Sequence, residues 1–144
     1  MLDKMKELVR EKDICVLSTV SGNKPHCSLM SYTTDSERRE FYMVTSRETR
    51  KFKNLTDNPN VSLLIDTREE HMGPHRNQAS ALTVSGRIEE IRDINKQREI
   101  SLLLLERHPH LEELFKRDDT AILCVKADSF LLLKGISEAY YEKL

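Results

Sequence analysis

The stretch Thr45–Pro59, TSRETRKFKNLTDNP, follows directly on four strand-forming residues, Phe41-Tyr42-Met43-Val44. Thr45 and, three residues later, Glu48 have the form of a capping box. Phe52 and Leu55 then fall at helical spacing, and Asn58-Pro59 ends the helix. The reading is a strand that runs straight into a short helix. Charge sets this helix apart. A helix N-terminus carries partial positive charge and unpaired N–H groups, so cations there are unfavourable by about 0.3–1 kcal/mol each. Here Arg47, Arg50, Lys51 and Lys53 crowd the first turns beside the hydroxyls of Thr45, Ser46 and Thr49. A solvated basic face is the plain explanation; an anion seated on the free N–H groups is the functional one.

Upstream, Leu2 to Glu11 reads as an amphipathic helix with Leu2, Met5, Leu8 and Val9 on one side, which is no signal peptide. Ile14–Val20 is a strand, Ser21-Gly22-Asn23-Lys24 a turn, and Pro25 opens a second strand over His26–Thr33, making a hairpin. The strand Phe41–Val44 and its helix lead to another strand, Val61–Asp66. Thr67–Asn77 has no apolar period and reads as a loop that covers a site or stays mobile. In the strand that follows, Leu82, Val84 and Ile88 share a face, and Gly86 marks a bulge or bend. Asp93 is the expected N-cap of a helix carrying Ile94, Ile100 and Leu102–Leu105. His108-Pro109 ends it and starts a short helix with Leu111, Leu114 and Phe115 on one face, both helices being read as packing elements. Two strands, Thr120–Ala127 and Phe130–Ile136, and a polar tail, Ser137–Leu144, complete the chain.

About seven strands joined mostly by hairpin turns predict a mainly β fold, an antiparallel barrel of six to seven strands with inserted helices, in one domain spanning 1–144. The strand-helix-strand unit lacks the glycines of Rossmann and Walker sites, which removes those nucleotide-binding classes. Lys and Arg number 23 against 24 Asp and Glu, with both signs mixed throughout, so nothing points to nucleic acid. No apolar run approaches the ~18 residues of a spanning helix. The expectation is a cytoplasmic protein. Cys15, Cys27 and Cys124 sit apart in apolar runs and read as buried free thiols. His71 and His75 have the spacing of helical zinc ligands, but Gly73-Pro74 between them breaks the helix, so no metal site is expected.

The order of strand, T-S-x-x-T-R-K, short helix, N-P and apolar strand Val61–Ile65 resembles the pyridoxamine 5'-phosphate oxidase-like FMN-binding split barrels, most fully over Ile14–Ile91. The resemblance implies an FMN cofactor whose phosphate lies at the strand end and helix start. It places Arg50 and Lys51 as phosphate cations, Ser46 and Thr49 as small polar contacts, and Val44 and Thr45 beside the flavin. It assigns the ring to the strand Ser28–Thr33, with apolar contact from Leu29 and Met30 and backbone pairing to the pyrimidine edge. Pyridoxamine phosphate oxidases proper have an arginine at the position of Ser28, a lysine at that of Thr33 and a glutamine at that of Ala81, which Gln78 would replace from nearby. Two cations are therefore missing, and vitamin B6 oxidation is not the first choice. The resemblance implies an FMN-dependent oxidoreductase acting on a small molecule, with no catalytic side chain assignable from spacing. The alternatives are a deazaflavin-dependent reductase, or a flavin- or haem-binding protein without turnover, for which Met30, His71 and His75 are the candidate haem ligands. It also implies a homodimer with the cofactor at the interface, where the partner's loop Glu70–Gln78 and its last strand, with Lys134, cover the ring.

Overall fold

Gly22 and Asn23 both take positive φ, 54° and 65°, the conformation of a two-residue type I′ turn. They join β1 (Ile14–Ser21) to β2 (Lys24–Ser31) in continuous register from Ile14↔Ser31 to Ser21↔Lys24. The chain, seen in a computed structural model that describes residues 1–144, then turns at Tyr32. A two-residue β3 (Thr33–Thr34) follows, so the second strand is shorter than expected and the chain crosses to a new neighbour. That neighbour is β4 (Glu40–Ser46), which leads through α2 (Arg50–Asp57) to β5 (Asn60–Asp66), β6 (Ser80–Glu90) and, after the late helices, β7 (Thr120–Lys134) and β8 (Glu138–Lys143).

The strands form one antiparallel sheet in the order β2-β1-β5-β6-β7-β4-β3, with β8 also on β7. β2 and β3 stand at opposite ends of that order yet are separated by Tyr32 alone. The sheet therefore curls until its ends meet, as a half-barrel with inserted helices. Tyr32 fixes the closure: it is fully buried, its hydroxyl donates to the Val9 carbonyl at 2.7 Å, and its ring lies 5.7 Å from that of Phe41.

Alternation fills the interior. Cys15 and Leu17, Val61, Leu63 and Ile65, Leu82 and Val84, and Phe130 and Leu132 point into one core, as the period-2 pattern requires. The first helix, α1 (Leu2–Glu11), adds Met5, Leu8 and Val9, and α2 adds Leu55. A second core lies outside the barrel. There α3 (Ile94–Arg107), capped by the Asp93 carboxylate on Lys96 N–H, packs Ile100 and Leu104 on Tyr42, Val44, Ile122 and Cys124. The late helices thus cover an outer face rather than the barrel's ends, which is why Phe41–Val44 is apolar on both sides.

Three further expectations are corrected. The last two predicted strands are one fifteen-residue strand, β7, in which Asp128 is the unpaired extra residue of a bulge opposite Ser85/Gly86. The tail is no tail: Gly135, at φ 61°, turns the chain into β8, which pairs from Lys134↔Glu138 to Ser129↔Lys143 and brings the count to eight strands. Cys27 is exposed on the outward side of β2, whereas Cys15 and Cys124 are buried. Burial pushes both of those thiols up to about 12.

Candidate functional site

β4 does not stop at Val44. Its pairing with β7 carries it on through Thr45↔Ala121 and Ser46↔Thr120, and this ladder overrides the local capping signal. Thr45 is strand, Glu48 is an exposed turn residue, and the N-cap is Thr49, whose Oγ1 accepts from Phe52 N–H at 3.3 Å. Thr49 N–H and Lys53 N–H have carbonyl acceptors, which leaves the N–H groups of Arg50 and Lys51 without one.

The four cations of this segment go to different places. Arg47 turns away into a paired fork on Glu90, with Nη1 at 2.8 Å from Oε1, and its guanidinium stacks 5.3 Å over the Phe52 ring. Arg50 and Lys53 line a shallow surface hollow with Glu48 and Asn54. Lys51 alone faces a cleft. It is half-buried, no carboxylate lies within ion-pair distance, and burial holds its ammonium below the ordinary lysine range.

The cleft is the split between the two ends of the sheet. β2 has no partner beyond β1, and β3 covers only Phe41 and Tyr42 of β4. Unpaired backbone edges therefore face each other across a cavity of about 350 Å³. Leu29, Met30 and Ser31 line it from β2, Val44, Thr45 and Ser46 from β4, and Thr49 and Lys51 from α2. The third wall comes from the turn after α3, with His110 and Leu111, and from α4 (Glu112–Phe115), with Leu114. A larger hollow, about 540 Å³, lies on the outside between Ile94, Leu102 and Phe115, but none of the motif residues Thr45–Lys51 lines it, so we place the site in the split.

The hydroxyl protons of the motif are engaged within the chain. Ser46 donates to Asp119, whose carboxyl the Arg117 fork and this hydrogen bond hold well below the usual carboxylate range. Thr49 donates to the Ser46 carbonyl at 2.9 Å, so in its 3.2 Å contact with Thr45 it is the acceptor. The donors open to a ligand on this wall are the Lys51 ammonium and the Lys51 N–H.

Of the sequence-derived candidates, Leu29, Met30, Val44, Thr45, Ser46, Thr49 and Lys51 meet at this cleft, and Ser28, Arg50 and Gln78 do not line it. Ser28 lies opposite Leu17. Gln78 ends a 3₁₀ turn, Gly73–Gln78, that covers part of the predicted loop, and shares another hollow with Lys134 and Gly135. His71 bonds Thr67 Oγ1 at 2.9 Å, His75 is exposed in the 3₁₀ turn, and neither lines the cleft. His110, Leu111 and Leu114 carried no sequence signal beyond packing, because only the folded connection brings them over β2.

The donor set fits a phosphorylated flavin: the Lys51 ammonium and N–H for the phosphate, Leu29 and Met30 for an apolar ring, and open strand edges for polar ring atoms. The volume lies within the range of ligand sites. Comparison with known proteins agrees on the family. The sequence model described as pyridoxamine 5'-phosphate oxidase matches residues 1–133, and the chain belongs to that family. No curated protein matches by sequence. Among solved structures, a haem-binding protein from Mycobacterium smegmatis aligns with TM-score 0.82 at 13% identity over 94% of this chain and 55% of its own, so the chain spans about half of that relative. The haem storage protein HutZ from Vibrio cholerae aligns with TM-score 0.73 at 18% identity, covering 96% of this chain and 92% of its own. An FAD-binding protein from Mesorhizobium loti gives 0.75 at 12% identity, covering 92% and 93%. At these identities the likeness is one of fold.

Proposed function

We propose that this member of the pyridoxamine 5'-phosphate oxidase family is an FMN-binding oxidoreductase acting on a small molecule. The observation that carries the reading is the split itself, where the α2 start, an unpaired half-buried Lys51 and two open strand edges meet in one cavity. The Lys51 ammonium and the Lys51 N–H at the start of α2 hold the phosphate. Leu29 and Met30 meet the ring, and the edges of β2 and β4 offer N–H and C=O groups to its pyrimidine side. FMN, when bound, supplies the electron transfer; the chain binds, orients and shields it. Ser28 and Thr33 stand where the vitamin B6 oxidases have cations, so the substrate is not a second phosphate ester held at those positions. The test is a fluorescence titration with FMN followed by reduction of the bound flavin with NADH or NADPH in a stopped-flow trace. Protein that takes up no FMN overturns the reading, and competition with a deazaflavin decides between the two phosphorylated cofactors.

A second reading is haem or flavin storage without turnover. It draws on the haem-binding proteins among the structural neighbours and on His110 and Met30, which give the cleft an imidazole nitrogen and a thioether sulfur. A Soret band on haem addition, with slow reduction of any bound flavin, favours it.

The proposal includes a homodimer. The outward side chains Leu29, Val16, Leu64, Thr83, Leu131 and Tyr141 are successive register partners across six strands, and none of them belongs to either buried core. Leu29 and Tyr141 are 70% and 64% exposed. Leu29 also lines the cleft, so a second copy on this row would complete the cavity's open side.

A further inference from the structure

The free donors of the cleft are few, because Thr45, Ser46 and Thr49 give their protons to internal acceptors. On the third wall of the cleft, one side chain carries nitrogen: His110. Its position is built. His108, 3% exposed, donates from Nε2 to the Tyr32 carbonyl at 2.8 Å, which ties the end of α3 to the point where β2 gives way to β3. Pro109 fixes the next φ, and the 3₁₀ turn Pro109–Leu111 presents His110 to the cleft. The His110 ring meets His108 edge-on, 5.7 Å between centroids at 87°, and its Nε2 lies 3.4 Å from Ser31 Oγ, a long contact that a better acceptor would displace. No carboxylate lies within ion-pair distance of His110 or Lys51.

We infer that His110 is a ligand-facing residue of this site, donating from Nε2 to an oxygen of the same phosphate ester that Lys51 meets from α2. The inference rests on the phosphate reading above and adds a residue from the third wall of the cleft. It makes His110 a determinant of selectivity for a phosphorylated ligand over its neutral alcohol, since the bond exists only when the phosphate is present. Leu111 and Leu114 beside it keep that bond in apolar surroundings, where a charge-assisted hydrogen bond is strongest.

The experiment titrates FMN and riboflavin into the wild type, H110A, H110Q and K51A, with melting curves to confirm folding. H110A is expected to weaken FMN about tenfold, the size of one hydrogen bond to a charged group, and to leave riboflavin within about twofold. H110Q, whose amide N–H also donates, recovers most of the loss. In ¹⁵N spectra the His110 ring signals shift on adding FMN or inorganic phosphate and not riboflavin, a readout available even if H110A folds poorly. Equal losses for FMN and riboflavin in H110A, or ring signals unmoved by FMN, overturn the inference. K51A weakened with H110A unchanged removes His110 alone. A wild type that binds FMN no better than riboflavin removes the phosphate reading and His110 with it.

Discussion

Gly86 meets Lys126 so closely that a Cβ on it would stand 2.3 Å from the Lys126 carbonyl oxygen and 3.0 Å from its carbonyl carbon. The contact sits beside the β7 bulge, where Asp128 is left over between Ser129 and Ala127, so the bend of β7 depends on a strand partner without a side chain. Backbone cannot rotate out of the way as a side chain does. Gly86→Ala is therefore expected to destabilise by about 1–3 kcal/mol, seen as a lower urea midpoint at unchanged slope. An unchanged midpoint would mean that β7 bends without help from this contact.

That glycine was legible in the sequence as a bulge, and so were the β1–β2 turn, the Asp93 cap and the alternation of β6, because each is a local signal that the tertiary structure agrees with. The Thr45–Glu48 capping box was equally local but lost to a ladder with β7, over seventy residues away in the chain. β8 was hidden because Tyr140 and Tyr141 adjoin, masking the alternation that places one inward and one outward. The cleft was legible on two walls, since motif and strand are contiguous segments. Its third wall was not, because His110 reaches β2 only through the His108–Tyr32 bond, which no spacing announces.

Arg50 and Lys51 look equivalent in the sequence, and the fold separates them. Lys51→Ala is expected to weaken FMN by about 1.5–3 kcal/mol, tenfold or more, while Arg50→Ala stays within about threefold. Isothermal titration of the two single variants checks this. Equal losses would show that Arg50 swings into the cleft when ligand arrives.

The Arg47–Glu90 pair ties the turn before α2 to the end of β6. The Arg47 guanidinium, more than the burial that opposes it, holds the Glu90 carboxyl below its ordinary range. A depressed folded value means stability that is fully present above the unfolded value, about 4.3, and lost as pH falls through the folded one. Glu90→Gln is expected to cost about 0.5–1 kcal/mol at pH 7, discounted because Arg47 is partly exposed, and to lose less stability than the wild type on acidification below pH ~4. Urea unfolding at several pH values measures both. Parallel stability curves for the two proteins would assign the acid loss to other carboxylates.

The outward row through Leu64 gives the dimer its own test. Leu64 lies in the third of six strands of that row and does not line the cleft, so a charge there strikes the interface and spares the cofactor contacts. The wild type is expected to sediment as a dimer, burying an obligate interface of order 2,000 Å². Leu64→Lys is expected to sediment as a monomer and to bind FMN tenfold or more weakly, because the open side of the cleft is then wet. Leu102→Lys, a substitution of a residue 70% exposed on α3, serves as the control that changes neither. Cys27 reports the same event chemically. It pairs with Ser18 on the outward side, so iodoacetamide should modify it faster in Leu64→Lys than in the wild type, with Cys15 and Cys124 protected in both. A wild-type monomer that holds FMN tightly would refute the shared site while leaving Lys51 and the split in place.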